Sequence, residues 1–102
     1  MSEVFHPVQF KGMYEGQYGS ARVSPEGYVH NLRVPEEHQG KGHGSAILGQ
    51  ITSDADKLGK GLTMHARPEL HDFYAKHGFV QTGHDYIGGV ANPRLQRKPK
   101  GI

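Results

Sequence analysis

The chain reads as an α+β domain: a mostly antiparallel sheet with two helices. Three observations predict it. Short tyrosine- and valine-bearing runs come first and in succession, as a meander does. One strongly amphipathic segment, Ser45 to Leu58, follows them. Between the two lies Gln39-Gly40-Lys41-Gly42-His43-Gly44-Ser45, where three glycines alternate with polar residues at a strand-to-helix handover.

The elements follow in order. Val4, Val8 and Phe10 are scattered around Pro7 and fit no period. From Phe10 to Val23 the composition predicts two short strands with a turn near Glu15-Gly16. Ser24-Pro25-Glu26-Gly27 is a second turn. Tyr28 to Val34 is a third strand; strict alternation would put Tyr28, His30, Leu32 and Val34 on one face and Val29, Asn31 and Arg33 on the other. Pro35 stops it. In the main helix Ile47, Leu48, Ile51, Ala55 and Leu58 recur at three- and four-residue steps, giving one apolar stripe. Gly59 and Gly61 end it. Leu62 to Ala66 is a short strand. Pro68 opens a second helix in its first turn, where a missing N–H costs little; this helix carries Leu70, Phe73 and Tyr74 and ends at Gly78. Phe79 to Thr82 is a further strand, and the last strand falls either near Tyr86-Ile87 or near Arg94-Leu95-Gln96.

The totals narrow the function. At 102 residues the chain, taken as residues 1–102, fits one domain with one core. With no cysteine there is no disulfide framework, no thiolate metal site and no catalytic thiol. That and an N-terminus without a basic region and apolar run suit a cytoplasmic protein, and no apolar stretch approaches the roughly 20 residues that span a bilayer. The formal charge is only +2. Arg94, Arg97, Lys98 and Lys100 read as a basic tail over about 92–102, solvated in the first instance and open to an acidic partner in the second. A nucleic-acid role is not expected, because no aromatic and basic residues interleave on a strand and no recognition helix is evident. His65, His71 and His77 stand six apart, which fits no metal-ligand spacing.

The glycine turn carries the chemistry. Glycine permits a sharp turn and a close approach to the main chain, and the first turn of a helix has N–H groups with no partner inside it. Those donors and the positive end of the helix dipole favour a phosphate, most plausibly a pyrophosphate. No Gly-Lys-Ser/Thr closes the turn as in a Walker loop, and G-x-G-x-x-G is absent.

Gln39-Gly40-Lys41-Gly42-His43-Gly44 also resembles the Gln/Arg-x-x-Gly-x-Gly/Ala signature of the GNAT superfamily, the acetyl-CoA-dependent N-acetyltransferases. Leu32-Arg33-Val34-Pro35-Glu36-Glu37 is similar to that family's strand before the signature, and Phe73-Tyr74-Ala75-Lys76-His77-Gly78-Phe79 to its later helix-to-strand segment. The resemblance covers Tyr28 to about Thr82. It implies a GNAT-like mixed sheet with a splayed central strand pair, and acetyl-CoA as co-substrate with no metal. It implies that the main chain of Leu32 and Val34 pairs with the pantetheine arm, and that main-chain N–H groups of Gln39, Gly40, Lys41, Gly42, His43, Gly44 and Ser45 hold the pyrophosphate. Tyr74 matches the tyrosine that, in many members, protonates the departing thiolate.

A general base helps an amine attack a thioester. The resemblance puts Tyr28 where some members have a glutamate, and His30, two residues on, becomes the candidate base. Arg67 stands where an asparagine is frequent. Members usually place a strand and two helices ahead of the meander, which wall the acceptor pocket; about ten residues precede it here. The acceptor side is therefore expected to be open or closed by a second subunit in a homodimer. An open side suits an amine on a protein, a lysine or an N-terminus, better than a small enclosed amine. With no cysteine, transfer would be direct. The alternative is a non-catalytic CoA-binding or partner-docking module on the same fold.

Overall fold

The computed structural model describes residues 9–100; the readings made on Val4, Val8 and the N-terminal residues lie outside them. Strands β1 (Met13–Gly16), β2 (Gly19–Val23) and β3 (Val29–Arg33) form an antiparallel meander. A short 3-10 turn, Glu36–His38, leads through the glycine stretch into helix α1 (His43–Leu58). Strand β4 (Leu62–His65) follows. A 3-10 turn at Pro68–Leu70 runs straight into α2 (His71–Ala75), and strands β5 (Val80–Ile87) and β6 (Val90–Arg97) close the chain as a hairpin. The second sheet has the order β4-β6-β5.

The two sheets meet at one parallel bridge between Tyr28 and Thr63, braced by Thr63 N–H donating to the Gly27 carbonyl at 2.9 Å. The result is the expected α+β, mostly antiparallel mixed sheet with two helices, with β3 and β4 joined at one end and parting beyond it. One face of both sheets is apolar. Tyr14, Ala21, Val23 and Val29 from the first sheet, and Leu62, Met64 and Leu95 from the second, pack with Ile47, Leu48, Ile51 and Ala55 of α1 and with Tyr74 and Phe79 in one cluster. The stripe read from the sequence is the stripe that is buried, and Leu58 packs at its edge. Gly59 ends α1 at φ 66°, with Lys60 N–H reaching Ala55 O at 3.0 Å and Gly59 N–H reaching Asp56 O at 3.2 Å. This is the hydrogen-bond pattern of a Schellman cap, whose left-handed residue is most often glycine.

Four readings need correction. The first turn is at Gln17-Tyr18 rather than Glu15-Gly16, because Gly16 pairs with Gly19. The strict alternation expected along Tyr28 to Val34 fails. Val23 pairs with Val29 and Arg22 with His30, but Ser20 pairs with Arg33, so β3 carries an extra residue between His30 and Arg33. That bulge turns Leu32 toward the core while His30 stays on the opposite, exposed face. Both alternatives for the last strand are strand, on opposite arms of the β5–β6 hairpin. Finally, Arg94 and Arg97 do not belong to a solvated tail. They sit in β6, the middle strand of its sheet, because each has a carboxylate: Asp85 for Arg94, and Asp56 for Arg97.

Candidate active site

The groove begins where β3 hands over to α1. Gly40 and Gly42 have φ of 78° and 87°, a region that disfavours any residue with a Cβ. Gly42 is the N-cap of α1 and, among the described residues, no side chain caps the helix. The N–H groups of its first turn therefore point into the turn without an internal partner. Gln39 fixes the approach: its side-chain amide donates to the Val34 carbonyl at 2.9 Å. The same bond occupies the Val34 carbonyl. At the rim the Tyr18 ring stacks on His38 at 3.7 Å and meets His43 edge-on at 4.9 Å.

The opposite wall is α2. A Cβ on Gly44 would sit 3.4 Å from the Phe73 ring, so this glycine lets α2 lie close against the mouth of α1. Ser45 Oγ and His77 Nε2, 3.1 Å apart, tie α1 to the turn that follows α2. Burial, and then the Arg97 guanidinium, hold His77 below the usual imidazole range, so the tie is between neutral groups. Between these walls lies a groove of about 550 Å³.

Leu32, Val34, Gln39, Gly40, Gly42, His43, Gly44 and Ser45 all line this groove, and so does Tyr74. Tyr74 is 4% exposed, and what remains open of it faces the groove. Its ring is pinned edge-on between Phe73 at 5.0 Å and Phe79 at 5.8 Å. Burial raises its phenol above the ordinary tyrosine value, so the hydroxyl is protonated and a donor at neutral pH. Two expected residues are not in the lining. Lys41 is exposed on the outer side of the turn, and His30 is exposed on the reverse of the sheet, its ring 4.4 Å from that of Tyr28.

The groove also contains residues that the motif did not single out: His38, Leu70, Phe73 and Lys76. Lys76 follows Tyr74 by two residues and brings a cation to the wall facing the helix N-terminus. Its place in the Phe73-to-Phe79 segment was a signal, but its direction was not. On the reverse face, His65 and Asp85 form a hydrogen-bonded pair that no local pattern announces, since they are twenty residues apart. Among the described residues no cluster of three or more metal-ligating side chains occurs, and no helix is long and apolar enough to cross a membrane.

A glycine turn feeding an uncapped helix, opposed by a buried tyrosine of α2, thus forms one groove beside β3. Residues 9–89 match the Acetyltransferase (GNAT) domain family, and the chain belongs to it. No curated protein sequence matches it. Among solved structures it is similar to an N-acetyltransferase from Rhodopseudomonas palustris, at 23% identity and a TM-score of 0.69, over 79% of this chain and 54% of that one. It is similar to ElaA of Escherichia coli at 18% identity and a TM-score of 0.67, over 79% and 60%. N-acetylglutamate synthase from Neisseria gonorrhoeae, whose structure holds coenzyme A and L-arginine, matches at 20% identity and a TM-score of 0.61, over 80% of this chain and 22% of that one. The chain thus spans about half the length of the first of these relatives, and at such identities the likeness is one of fold.

Proposed function

We propose that this chain is an N-acetyltransferase that moves an acetyl group directly from acetyl-CoA to an amine. The observation that carries the reading is the groove itself: the uncapped, glycine-entered N-terminus of α1 and the protonated hydroxyl of buried Tyr74 share one cleft of about 550 Å³. The fit to the co-substrate rests on free donors. The N–H groups of His43, Gly44 and Ser45 can each donate to a phosphate oxygen, and such charge-assisted bonds contribute roughly 1.5–3 kcal/mol net apiece. Lys76 adds a cation across the cleft, while the edge of β3 at Leu32 and the Val34 N–H can pair with an extended arm.

When bound, acetyl-CoA supplies an activated acyl thioester. The chain's residues do the rest. The α1 turn fixes the diphosphate end, β3 aligns the arm, and Tyr74 gives its proton to the sulfur as the new amide forms. The reverse face of the sheet, with Arg22, His30 and Gln96 exposed, is where an amine on a peptide or protein can approach the gap between β3 and β4. A lysine or an N-terminus is the acceptor class this face favours.

One observation favours a second reading, a CoA-binding module without catalysis. His30, the sequence's candidate base, does not line the groove. The experiment separates the two. Calorimetry with coenzyme A should give binding in about the micromolar range, and thiol release from acetyl-CoA should rise on adding lysine peptides or peptides with free N-termini. Binding without thiol release favours the module; neither would overturn the co-substrate reading.

A further inference from the structure

An amine is mostly an ammonium ion at neutral pH and must lose a proton before its lone pair can attack. On the groove side Tyr74 is a donor and cannot receive it. The reverse face of the sheet carries a chain of side chains that the groove does not use. The Tyr28 hydroxyl hydrogen-bonds to His65 Nδ1. His65 Nε2 lies 2.7 Å from Asp85 Oδ2. Arg94 Nη1 in turn donates to both oxygens of Asp85, at 3.1 and 3.2 Å. The four residues come from the head of β3 and from β4, β5 and β6.

The chemistry fixes the direction of the chain. His65, and then Arg94, hold the Asp85 carboxyl below its ordinary range, so it is a carboxylate and only accepts. The imidazole must then carry its proton on Nε2, leaving the Nδ1 lone pair for the Tyr28 hydroxyl. A carboxylate orienting a histidine that accepts from a hydroxyl is the arrangement that activates nucleophiles and bases elsewhere. Burial, and the nearby charge of Asp85, keep the Tyr28 phenol neutral. The second sheet is shaped for the network. A Cβ on Gly83 would lie 2.7 Å from Arg94 Nη2, so β5 leaves this position bare where the guanidinium crosses to Asp85 and its Nε donates to Thr82 Oγ1 at 3.2 Å.

Placement connects the chain to the reaction. With a diphosphate at Gln39–Ser45 and an arm running back along β3 past Val34 and Leu32, the reacting end points to the head of β3. There Tyr28 is bridged to β4 beside the point where the strands part. Resting on the acetyltransferase reading, we propose that Tyr28 is a catalytic residue that takes the acceptor amine's proton and hands its own to His65, with His65, Asp85 and Arg94 as positioning residues. The step balances. The ammonium N–H bond breaks and a Tyr28 O–H forms; the former Tyr28 O–H breaks and a His65 Nδ1–H forms. The amine keeps the electron pair it donates to the acyl carbon, and Asp85 balances the imidazolium until His65, 17% exposed at its side chain, returns the proton to water. Among the described residues of the first sheet this face also carries His30 beside Tyr28, Arg22 paired with His30 across the β2–β3 ladder, and, further along, Arg33 and Glu15, both paired with Ser20; both helices lie on the opposite face.

The test uses the full chain, Tyr28→Phe and His65→Gln. Nitrogen-15 NMR of the protein without coenzyme A should place the His65 proton on Nε2; a proton on Nδ1 overturns the relay. In activity assays, Tyr28→Phe should lower kcat/KM at pH 7 by about 100-fold while coenzyme A affinity stays within twofold. With a peptide bearing a free α-amine (pKa about 8) the deficit should vanish above pH 9. With a lysine peptide (pKa about 10.4) it should persist there. A purely structural role would depress both substrates equally at every pH, and that result overturns the proposal, as does a Tyr28→Phe variant equal to wild type. His65→Gln should reproduce the pH pattern, and a failure to do so overturns the relay through His65. Coenzyme A binding by the wild type with a silent Tyr28→Phe sinks the relay alone; no binding and no transfer to any amine sinks the acetyltransferase reading with it.

Discussion

At the scale of single residues, Tyr74 is the side chain whose chemistry is separable from its packing. The ring fills space between Phe73 and Phe79, and the hydroxyl is held protonated by burial. Tyr74→Phe keeps the ring and removes only the hydroxyl with its proton. Thiol release in the acetyl-CoA assay should fall about 10–100-fold, with coenzyme A affinity by calorimetry within about twofold and the melting temperature nearly unchanged. A loss of affinity instead would make the hydroxyl a binding group. Residues of this kind were legible in the sequence, because the glycine turn and the Phe73-Tyr74 segment each carry their signature locally. His30 illustrates what was not. Its identity was plain, but its separation from Leu32 depended on one extra residue in β3 beyond it, and a bulge leaves no mark in a run such as Tyr28-Val29-His30-Asn31-Leu32. Tyr28, His65 and Asp85 were illegible as a group for a different reason: three separate strands bring them together.

At the scale of elements, the first turn of α1 and the joint between α1 and β6 decide function and stability separately. Gly42→Ala meets no steric obstacle, since nothing lies within 4 Å of the added Cβ. Its whole cost comes from φ 87°, about 1–2 kcal/mol for a residue forced into the left-handed region. The turn is expected to relax by rotating its N–H groups away from the cleft. Coenzyme A affinity should then drop at least tenfold in calorimetry while a urea melt reports only that modest loss.

The α1–β6 joint is Arg97, whose Nη1 and Nη2 meet Asp56 at 2.9 and 3.1 Å and whose Nε donates to the His77 carbonyl at 2.9 Å. Arg97 is 6% exposed, so removing it leaves the His77 carbonyl without its donor and Asp56, 26% exposed at its side chain, with the Lys100 N–H at 2.8 Å in place of the cation. Arg97→Met should cost about 2–4 kcal/mol in urea melts at pH 7. The hydrogen bonds from Arg97 hold Asp56 below the ordinary carboxylate value of 3.8. A depressed folded pKa means that the unfolded chain takes up the proton first. The contribution is therefore complete above about pH 4 and is lost as pH falls through the lower folded value. The gap between wild type and Arg97→Met should narrow on going from pH 7 to pH 3; a constant gap would assign the effect to packing of the side-chain stem alone. Arg94 and Arg97 of β6, with Lys98 and Lys100 beyond its end, look in sequence like one solvated basic run, because the carboxylate that neutralises Arg97 is forty-one residues away.

At the scale of the whole molecule, the order β4-β6-β5 gives the last strand an influence its sequence does not advertise. Most side chains of β5 are exposed, and β6 puts the charged Arg97 at one of its buried positions, so neither arm shows in its sequence the apolar alternation that marks a half-buried strand. Yet β6 pairs with both neighbours, Leu62 to His65 on one side and Val80 to Ile87 on the other. The match to the family stops at residue 89, just before it. A chain ending at Gly89 keeps every signature residue of the groove but leaves β4 and β5 with no strand between them, exposes the space filled by Leu95, and unpairs Asp56. Against a total of roughly 5–15 kcal/mol for a domain of this size, such a loss should abolish cooperative thermal unfolding and coenzyme A binding together. The control is an insertion of four Gly/Ser residues between Gly88 and Gly89, where Ile87 and Val90 are 53% and 63% exposed. Lengthening that loop costs on the order of 0.6 kcal/mol per doubling, so melting and binding should stay close to wild type. If the truncated chain still melts cooperatively, the second sheet closes without β6 and the pairing is dispensable. If the insertion abolishes binding as well, the hairpin tip supports the groove in a way its exposure does not suggest.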